Sequence, residues 1–264
     1  MFELIPVDDA PDLERRFGGL RRLYGDAGYA RIRAARFAIV GVGGVGSWCA
    51  EALARSGVAG LTLIDLDHVS ESNINRQIQA TSTTIGQAKV QALRERIAMI
   101  HPGCEVTCVE EFVDADNWPG LLSQPVDGII DACDQVRAKA VIAAWALATR
   151  SPLVIAGAAG GKRQPHAVQV DDLGLVTHDP LLASLRQRLR KQHGAARSGK
   201  IGVRCVFSRE AVVAPSEVCE VGGEAVAVGD SSLNCHGYGS SVGVTATFGM
   251  VAASLALESA AALK

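Results

Sequence analysis

The chain has 264 residues, 48% of them hydrophobic, and a formal net charge of −2. That length suits one large domain or a domain with an extension, and the apolar content excludes a disordered chain. The charge excludes a protein drawn to nucleic acid by its overall field, although it averages over regions of very different sign.

The N-terminal stretch MFELIPVDDAPDLERRFGG is acidic and has no apolar run of the kind found in a secretory signal. Seven cysteines are present (Cys49, Cys104, Cys108, Cys133, Cys205, Cys219 and Cys235), and none forms a C-x-x-C pair. An odd number without such pairs points to a reducing cytoplasm and to no structural zinc.

Residues 1–34 read as a helical arm. ARFAIVG (35–41) reads as a buried strand that runs into a glycine loop, and SWCAEALARSGV (47–58) as the helix that follows, stopped at Gly57. LTLID (61–65) is a second strand, GQAKVQALRERIAMIHP (86–102) a helix ended by Pro102, and EVTCVEEFV a third strand. VDGIIDAC (126–133) is a fourth strand, QVRAKAVIAAWALATR (135–150) a helix, and PLVIAGAAGG (152–161) a fifth strand. Strands alternating with helices call for an α/β fold: a Rossmann-like, doubly wound, mainly parallel sheet with helices on both faces. Residues 35–160 form this domain.

Residues 161–264 are expected to form a smaller α+β extension, continuous with the same sheet. HAVQVDDLG reads as an edge strand pair, DPLLASLRQRLRKQ as a basic helix, HGAARSGKIG as a loop, and VRCVFSRE as a strand. EVCEVGGEAVAVGDSSLNCHGYG reads as irregular. From Ser231 to Leu257 no Asp, Glu, Lys or Arg occurs. A hydropathy window flags this stretch as a membrane span, but its small residues and its lack of flanking basic clusters favour a buried C-terminal helix.

The glycine loop carries the first chemical signal. Gly41, Gly43 and Gly46 stand as G-x-G-x-x-G between a strand and a helix, with Gly44 among them, where backbone approaches phosphate and the helix N-terminus favours negative charge. Asp65, at the end of the second strand, is placed to bind a ribose hydroxyl. Alone, this loop is compatible with NAD. It is followed, however, by Asp67, Asn73, Arg76 and Gln77, then by Lys89 at a helix start, then by Asp131 and Asp134 in IIDACDQ. In an open parallel sheet these strand ends face one crevice. Cations around phosphates, with a carboxylate to hold Mg²⁺, suit attack at phosphorus, and hydride transfer needs none of them.

GVGGVGS, LIDLDHVSESNINRQ, GQAKV and IIDACD resemble the adenylating domain of the ubiquitin-activating superfamily, over roughly residues 14 to 160. The resemblance implies ATP as the nucleotide, with Asp65 on its ribose, Asn73, Arg76 and Lys89 on its phosphates, and Asp134 holding Mg²⁺. Members that activate ubiquitin-like or sulfur-carrier proteins usually carry two C-x-x-C pairs and often a nucleophilic Cys. This chain has no such pair, and neither Cys205 nor Cys219 sits in a thioester context.

RFGGLRRLYG, SWCAEALARSGV, AGAAGG, DPLLASLRQRLRK, GVRCVFSRE and VTATFGMVAAS extend the likeness to about residue 258. They resemble the branch that dehydrates threonylcarbamoyladenosine beside the anticodon of tRNA. That branch uses ATP to activate the threonyl carboxylate, and the substrate's own ureido group closes the ring, so no enzyme thiol is required. The alternative is adenylation of a carrier protein ending in Gly-Gly.

Between Asp179 and Glu210 the chain has eight cations and no acid; Arg186, Arg190, Lys191, Arg197 and Lys200 are the expected tRNA contacts. No DNA partner is expected. The resemblance further implies a homodimer, association with a cysteine desulfurase and its sulfur acceptor, and a monovalent cation (K⁺ or Na⁺) near AGAAGG. Relatives often begin with an R-Y-x-R-Q motif whose second Arg reaches a neighbouring subunit's ATP. Here a Gly stands there, leaving Arg16 or Arg22 as substitutes. His101 reads as a cap or surface residue, and His236 as a base candidate.

Overall fold

The computed structural model describes residues 11–213 and 238–262. His236, Cys219, Cys235 and most of the stretch read as irregular lie outside the described residues.

Two short helices, α1 (Leu13–Phe17) and α2 (Arg21–Ala34), lead into β1 (Arg36–Val40). There follow α3 (Gly46–Arg55), β2 (Gly60–Ile64), α4 (Lys89–Ile100) and β3 (Glu105–Val109). The next elements are β4 (Gly128–Asp131), α5 (Val136–Thr149) and β5 (Leu153–Ala156). Then come β6 (Val168–Asp172), α6 (Pro180–Gln192), β7 (Arg204–Ser208) and α7 (Val242–Ala262).

The strands form one seven-stranded sheet in the order β3-β2-β1-β4-β5-β7-β6, parallel except for β6, which runs antiparallel to β7. Residues 37–40 of β1 and residues 60–64 of β2 are fully buried. This explains why they read as unbroken apolar runs, since a parallel sheet is covered on both faces. β1 continues to β2 on one side and β4 to β5 on the other, so the winding reverses between β1 and β4. The register there pairs Val40 with Ile64 and with Asp131. The carboxyl ends of three strands therefore meet at one level, and the crevice above them is where such sheets bind ligands.

Several expected elements differ in extent. The stretch read as an edge strand pair contains one strand, β6. Its partner is β7, more than thirty residues on, a long-range pairing that local periodicity does not reveal. α4 begins at Lys89 and not at residue 86. Gly86 has φ +87°, and the backbone beside it pairs with residues 68 and 69 instead. The third strand ends at Val109, which frees residues 111–113 to turn toward the crevice.

α7 is the one described helix long and apolar enough to cross a membrane. It lies on the protein core, with Val244, Phe248, Ala252, Ala253 and Leu257 buried against α3, α2 and the sheet. The approach to α3 is close: a methyl group at Gly249 would meet the Val45 carbonyl oxygen.

Candidate active site

The crevice between β1 and β4 gathers most of the chemically distinctive residues. Gly41, Gly43, Gly44, Asp65, Asp67, Arg76, Gln77, Lys89 and Asp134 all line it, as do Ala132, Cys133 and residues 157–160 of the turn after β5. Two glycines are required by close approach. A methyl group at Gly46 would run into the carbonyl oxygen of Gly41. One at Gly41 (φ +81°) would lie 2.8 Å from the Cys133 amide nitrogen. The glycine loop and the β4 turn thus pack backbone against backbone. Gly46 makes the turn under the site and is not on its wall.

Asp65 accepts the Val42 amide on Oδ2 and the Asp67 amide on Oδ1, which ties the end of β2 to the glycine loop. Burial raises its carboxyl above the usual range, opposed by nearby Lys89. Lys89 is 7% exposed, and its Nζ lies 2.7 Å from Asp67 Oδ2. Its backbone amide also donates to the Asp67 carbonyl, so cation and carboxylate reach the crevice as a preassembled pair.

Arg76 is fixed at both ends. Its Nη1 donates to the Ser72 carbonyl and to Asn75 Oδ1, and its own carbonyl accepts from the Trp48 indole at 2.9 Å. In the sequence Trp48 is an apolar residue of the stretch SWCAEALARSGV, which gives no sign of this hydrogen bond. Its ring is half-buried, and an indole N–H in such a position commonly finds an acceptor.

Two expected site residues, Asn73 and Asp131, stand apart from the wall, and a third, Gln77, is on it but engaged with a neighbour. Asn73 is buried; its side chain accepts the Ser70 amide in a capping box and so supports the turn that carries Arg76. Gln77 lines the crevice, but its Oε1 accepts from Gln79. Asp131 is 0% exposed. Its Oδ1 accepts the Cys133 amide and lies 3.1 Å from Lys139 Nζ.

Lys139 is a residue that motif reading missed. It is fully buried and also donates to the carbonyls of Asp131 and Ala156. Burial works against its charge, but Asp131 and Cys133 outweigh that and hold its pKa above the ordinary lysine value. One buried ammonium thus joins β4 to β5 directly beneath the turn that presents Asp134. The sequence signal was available, a lysine one turn into a helix after an acidic strand end, but it reads equally well as a surface residue.

Among the described residues the cysteines offer no activated thiol. Burial, then Asp131, pushes the Cys133 thiol well up, and Cys205 is buried in the core with its thiol also raised by burial. A thiolate nucleophile needs the opposite environment. His101 caps the end of α4 but is not a surface residue. It is 2% exposed, packed against Phe17 and Arg33, and its pKa is lowered, by burial first and then by Arg33 and Arg16. Arg16 donates to the Ile100 carbonyl at the far end of α4, away from this chain's own crevice.

Among the described residues no group of three or more His, Cys, Asp or Glu is placed to hold a metal. Asp134 stands on the crevice wall with Asp65, Asp67 and Glu111; of these, Asp65 accepts from two backbone amides and Asp67 is paired with Lys89. That fits a Mg²⁺ ion carried on nucleotide phosphates, which commonly takes only one or two protein carboxylates.

Arg186, Arg190 and Lys191 of α6, with Arg197 of the loop after it, surround one shallow groove. Arg186 is partly committed to the fold, donating to the Leu173 and Val176 carbonyls, and Arg190 donates to the Ala196 carbonyl. Lys191, Arg197 and Lys200 are exposed.

The model of the ThiF family matches residues 16–264. The chain is 46% identical to the tRNA threonylcarbamoyladenosine dehydratase of Escherichia coli (strain K12), covering 92% of each chain. It is 38% identical to the enzyme of the same name from Haemophilus influenzae, covering 93% of each. A solved structure of the Escherichia coli enzyme in complex with ATP superposes with a TM-score of 0.83 at 43% identity, covering 95% of this chain and 96% of that one.

Proposed function

This chain belongs to the ThiF family, and we propose that it is an ATP-dependent dehydratase that cyclises threonylcarbamoyladenosine in tRNA. The observation that carries the reading is the assembly of Arg76, Lys89 and Asp134 around the glycine loop in a single crevice, where the Cys133 thiol, pushed up by burial, is not activated.

The glycine loop and Asp65 take the ATP, with phosphates toward the N-terminus of α3 and ribose toward the end of β2. Arg76 and Lys89 offset the charge that develops as the threonyl carboxylate oxygen attacks the α-phosphorus and pyrophosphate leaves. Asp134 would hold Mg²⁺, which when bound neutralises phosphate charge. In the second step the substrate's ureido group, having lost a proton, attacks the acyl carbon, and AMP departs with the former carboxylate oxygen. The two steps remove the elements of one water from the nucleoside. The nucleophile and the activated carbon belong to one molecule, so a high effective molarity replaces the enzyme nucleophile.

The basic groove on α6, continued by Lys200, binds the tRNA backbone. Support comes from its freedom from carboxylates and from its position on the helix whose N-terminal turn, at Leu181, lines the crevice. The enzyme is cytoplasmic and homodimeric. Leu23 on α2 and Met99 on α4, 77% and 74% exposed, are apolar surface that a second subunit would cover.

The test is nucleoside mass spectrometry on tRNA carrying threonylcarbamoyladenosine, incubated with the protein, ATP and Mg²⁺. The expected product is lighter by one water (about 18 Da), forms only with ATP, and is lost with Lys89→Ala. No mass change while ATP still binds would overturn the tRNA reading in favour of a carrier protein ending in Gly-Gly.

A further inference from the structure

Asp179 opens the DPLLASLRQRLRK stretch and takes no part in the proposed chemistry, yet its carboxylate is fully buried at a junction of three elements. It is the N-cap of α6: Oδ1 accepts the Leu182 amide at 3.0 Å, ahead of a proline at the first helical position. A cap of this kind is common and stabilises the helix that it begins. What a cap does not require is the second bond. Oδ2 accepts the amide of Ala158 at 2.9 Å, in the turn after β5 that lines the nucleotide crevice.

The turn and the helix are in contact at this point. A methyl group at Gly157 would collide with Asp179 Oδ2 and lie 3.0 Å from Leu182 Cδ1, so only glycine permits the approach. A third element joins through Lys162. Its buried ammonium lies 3.8 Å from the same Oδ2 and donates to the Ser208 carbonyl at the end of β7. One carboxylate thus registers the crevice turn, the basic helix and the strand that follows that helix. The next residue but one, Leu181, is itself on the crevice wall.

We propose that Asp179 is a positioning residue that holds the basic helix α6 at a set distance and angle from the nucleotide crevice. The tRNA groove and the adenylation site are then presented to one substrate in register. The inference rests on the reading of α6 as the tRNA-binding helix and of the crevice as the adenylation site. A carboxylate is needed because it accepts from two amides while facing an ammonium. An amide side chain accepts on one atom only and would turn its NH₂ toward a donor.

The experiment compares the wild-type protein with Asp179→Asn, measuring turnover of threonylcarbamoyladenosine tRNA, binding of a fluorescent ATP analogue, and binding of the same tRNA by gel shift. Small misplacements of reacting groups cost up to about 10²-fold in rate. The expected result is a kcat lowered between about 10- and 10²-fold, with both binding constants within about threefold of wild type. Gly157→Ala, which disturbs the same junction with Asp179 intact, is expected to show the same split. Asp179→Ser, which keeps the cap and drops the link to Ala158, separates helix stability from registration and is expected to retain the kcat defect.

Wild-type kcat in Asp179→Asn would overturn the inference. So would a parallel fall in both affinities and in melting temperature, because that pattern marks a purely structural cap. A wild-type protein that binds ATP and leaves the tRNA unchanged would instead overturn the functional reading, and the inference with it.

Discussion

In the crevice, Lys89 is almost wholly buried with its ammonium 2.7 Å from Asp67, and beneath it Lys139 is enclosed by Asp131 and two carbonyls. On α6 and the loop after it, Lys191, Arg197 and Lys200 stand in solvent, and no carboxylate occurs in the sequence between 179 and 210. The two regions concentrate the same charge and restrain it differently. The crevice fixes its cations against protein acceptors, Lys89 against Asp67 and Arg76 against the Ser72 carbonyl and Asn75, which suits a small ligand whose charge develops at one point and must be met without reorganisation. The surface leaves its cations to water and salt, which suits a long polyanion bound by release of counterions.

The contrast makes four measurable claims. The largest effect belongs to the most enclosed charge. Lys139→Met leaves Asp131 buried without its partner and is expected to cost about 3–5 kcal/mol of stability, read as a lowered melting temperature, whereas Lys191→Met should leave the melting temperature unchanged. Next come the cations on the crevice wall. Arg76→Ala or Lys89→Ala is expected to lower kcat by about 10²- to 10³-fold, the range for losing one preorganised charge-stabilising group, while tRNA binding by gel shift stays at the wild-type level. A loss of tRNA affinity equal to the loss of rate would erase the distinction between the two regions.

The surface should respond to salt where the crevice does not. Raising salt from about 50 to 200 mM is expected to weaken tRNA binding by ~10- to 10²-fold if several phosphates are contacted. Reversing Arg190 and Lys191 to Glu should flatten that slope and raise the KM for tRNA with kcat retained. Binding of ATP analogue should shift far less over the same range.

The smallest effect concerns His101, buried far from both regions. Its folded-state pKa lies below the unfolded value of about 6.5, so the fold favours the neutral ring. The stability this confers is present above that value and is lost as pH falls through the folded pKa. His101→Gln should therefore remove part of the acid-side decline in stability and leave dehydration at neutral pH unchanged. An identical acid limb in the variant would show that other groups set it.

Much of the crevice was legible from residue order because its parts follow strand ends. Gly41, Asp65 and Asp134 each come immediately or shortly after a buried apolar run, and a parallel sheet brings such positions to one edge whatever the sequence between them. Arg76 and Lys89 were legible for a different reason: polar and charged residues persist there where a simple dinucleotide fold needs none. Asn73 and Asp131 share those motifs, yet their side chains turn inward, to Ser70 and to Lys139. A motif fixes spacing along the chain, while the direction of a side chain depends on partners that arrive later.

The pairing of β6 with β7 and the commitments of Trp48, Lys139 and Asp179 belong to that second class. Each joins segments far apart in the chain, from 21 residues between Ala158 and Asp179 and 28 between Trp48 and Arg76 to more than thirty between β6 and β7, except Lys139. Its local partner Asp131 is eight residues away, while its link to Ala156 is not local. Residue order alone settled the alternation of strand and helix, the level at which the strand ends meet, and the sign of the charge on α6, because these depend on local periodicity and composition. Folding in three dimensions decided which buried polar groups hold the crevice and the basic helix in place, because a buried hydrogen bond selects its partner by geometry and burial rather than by distance along the chain.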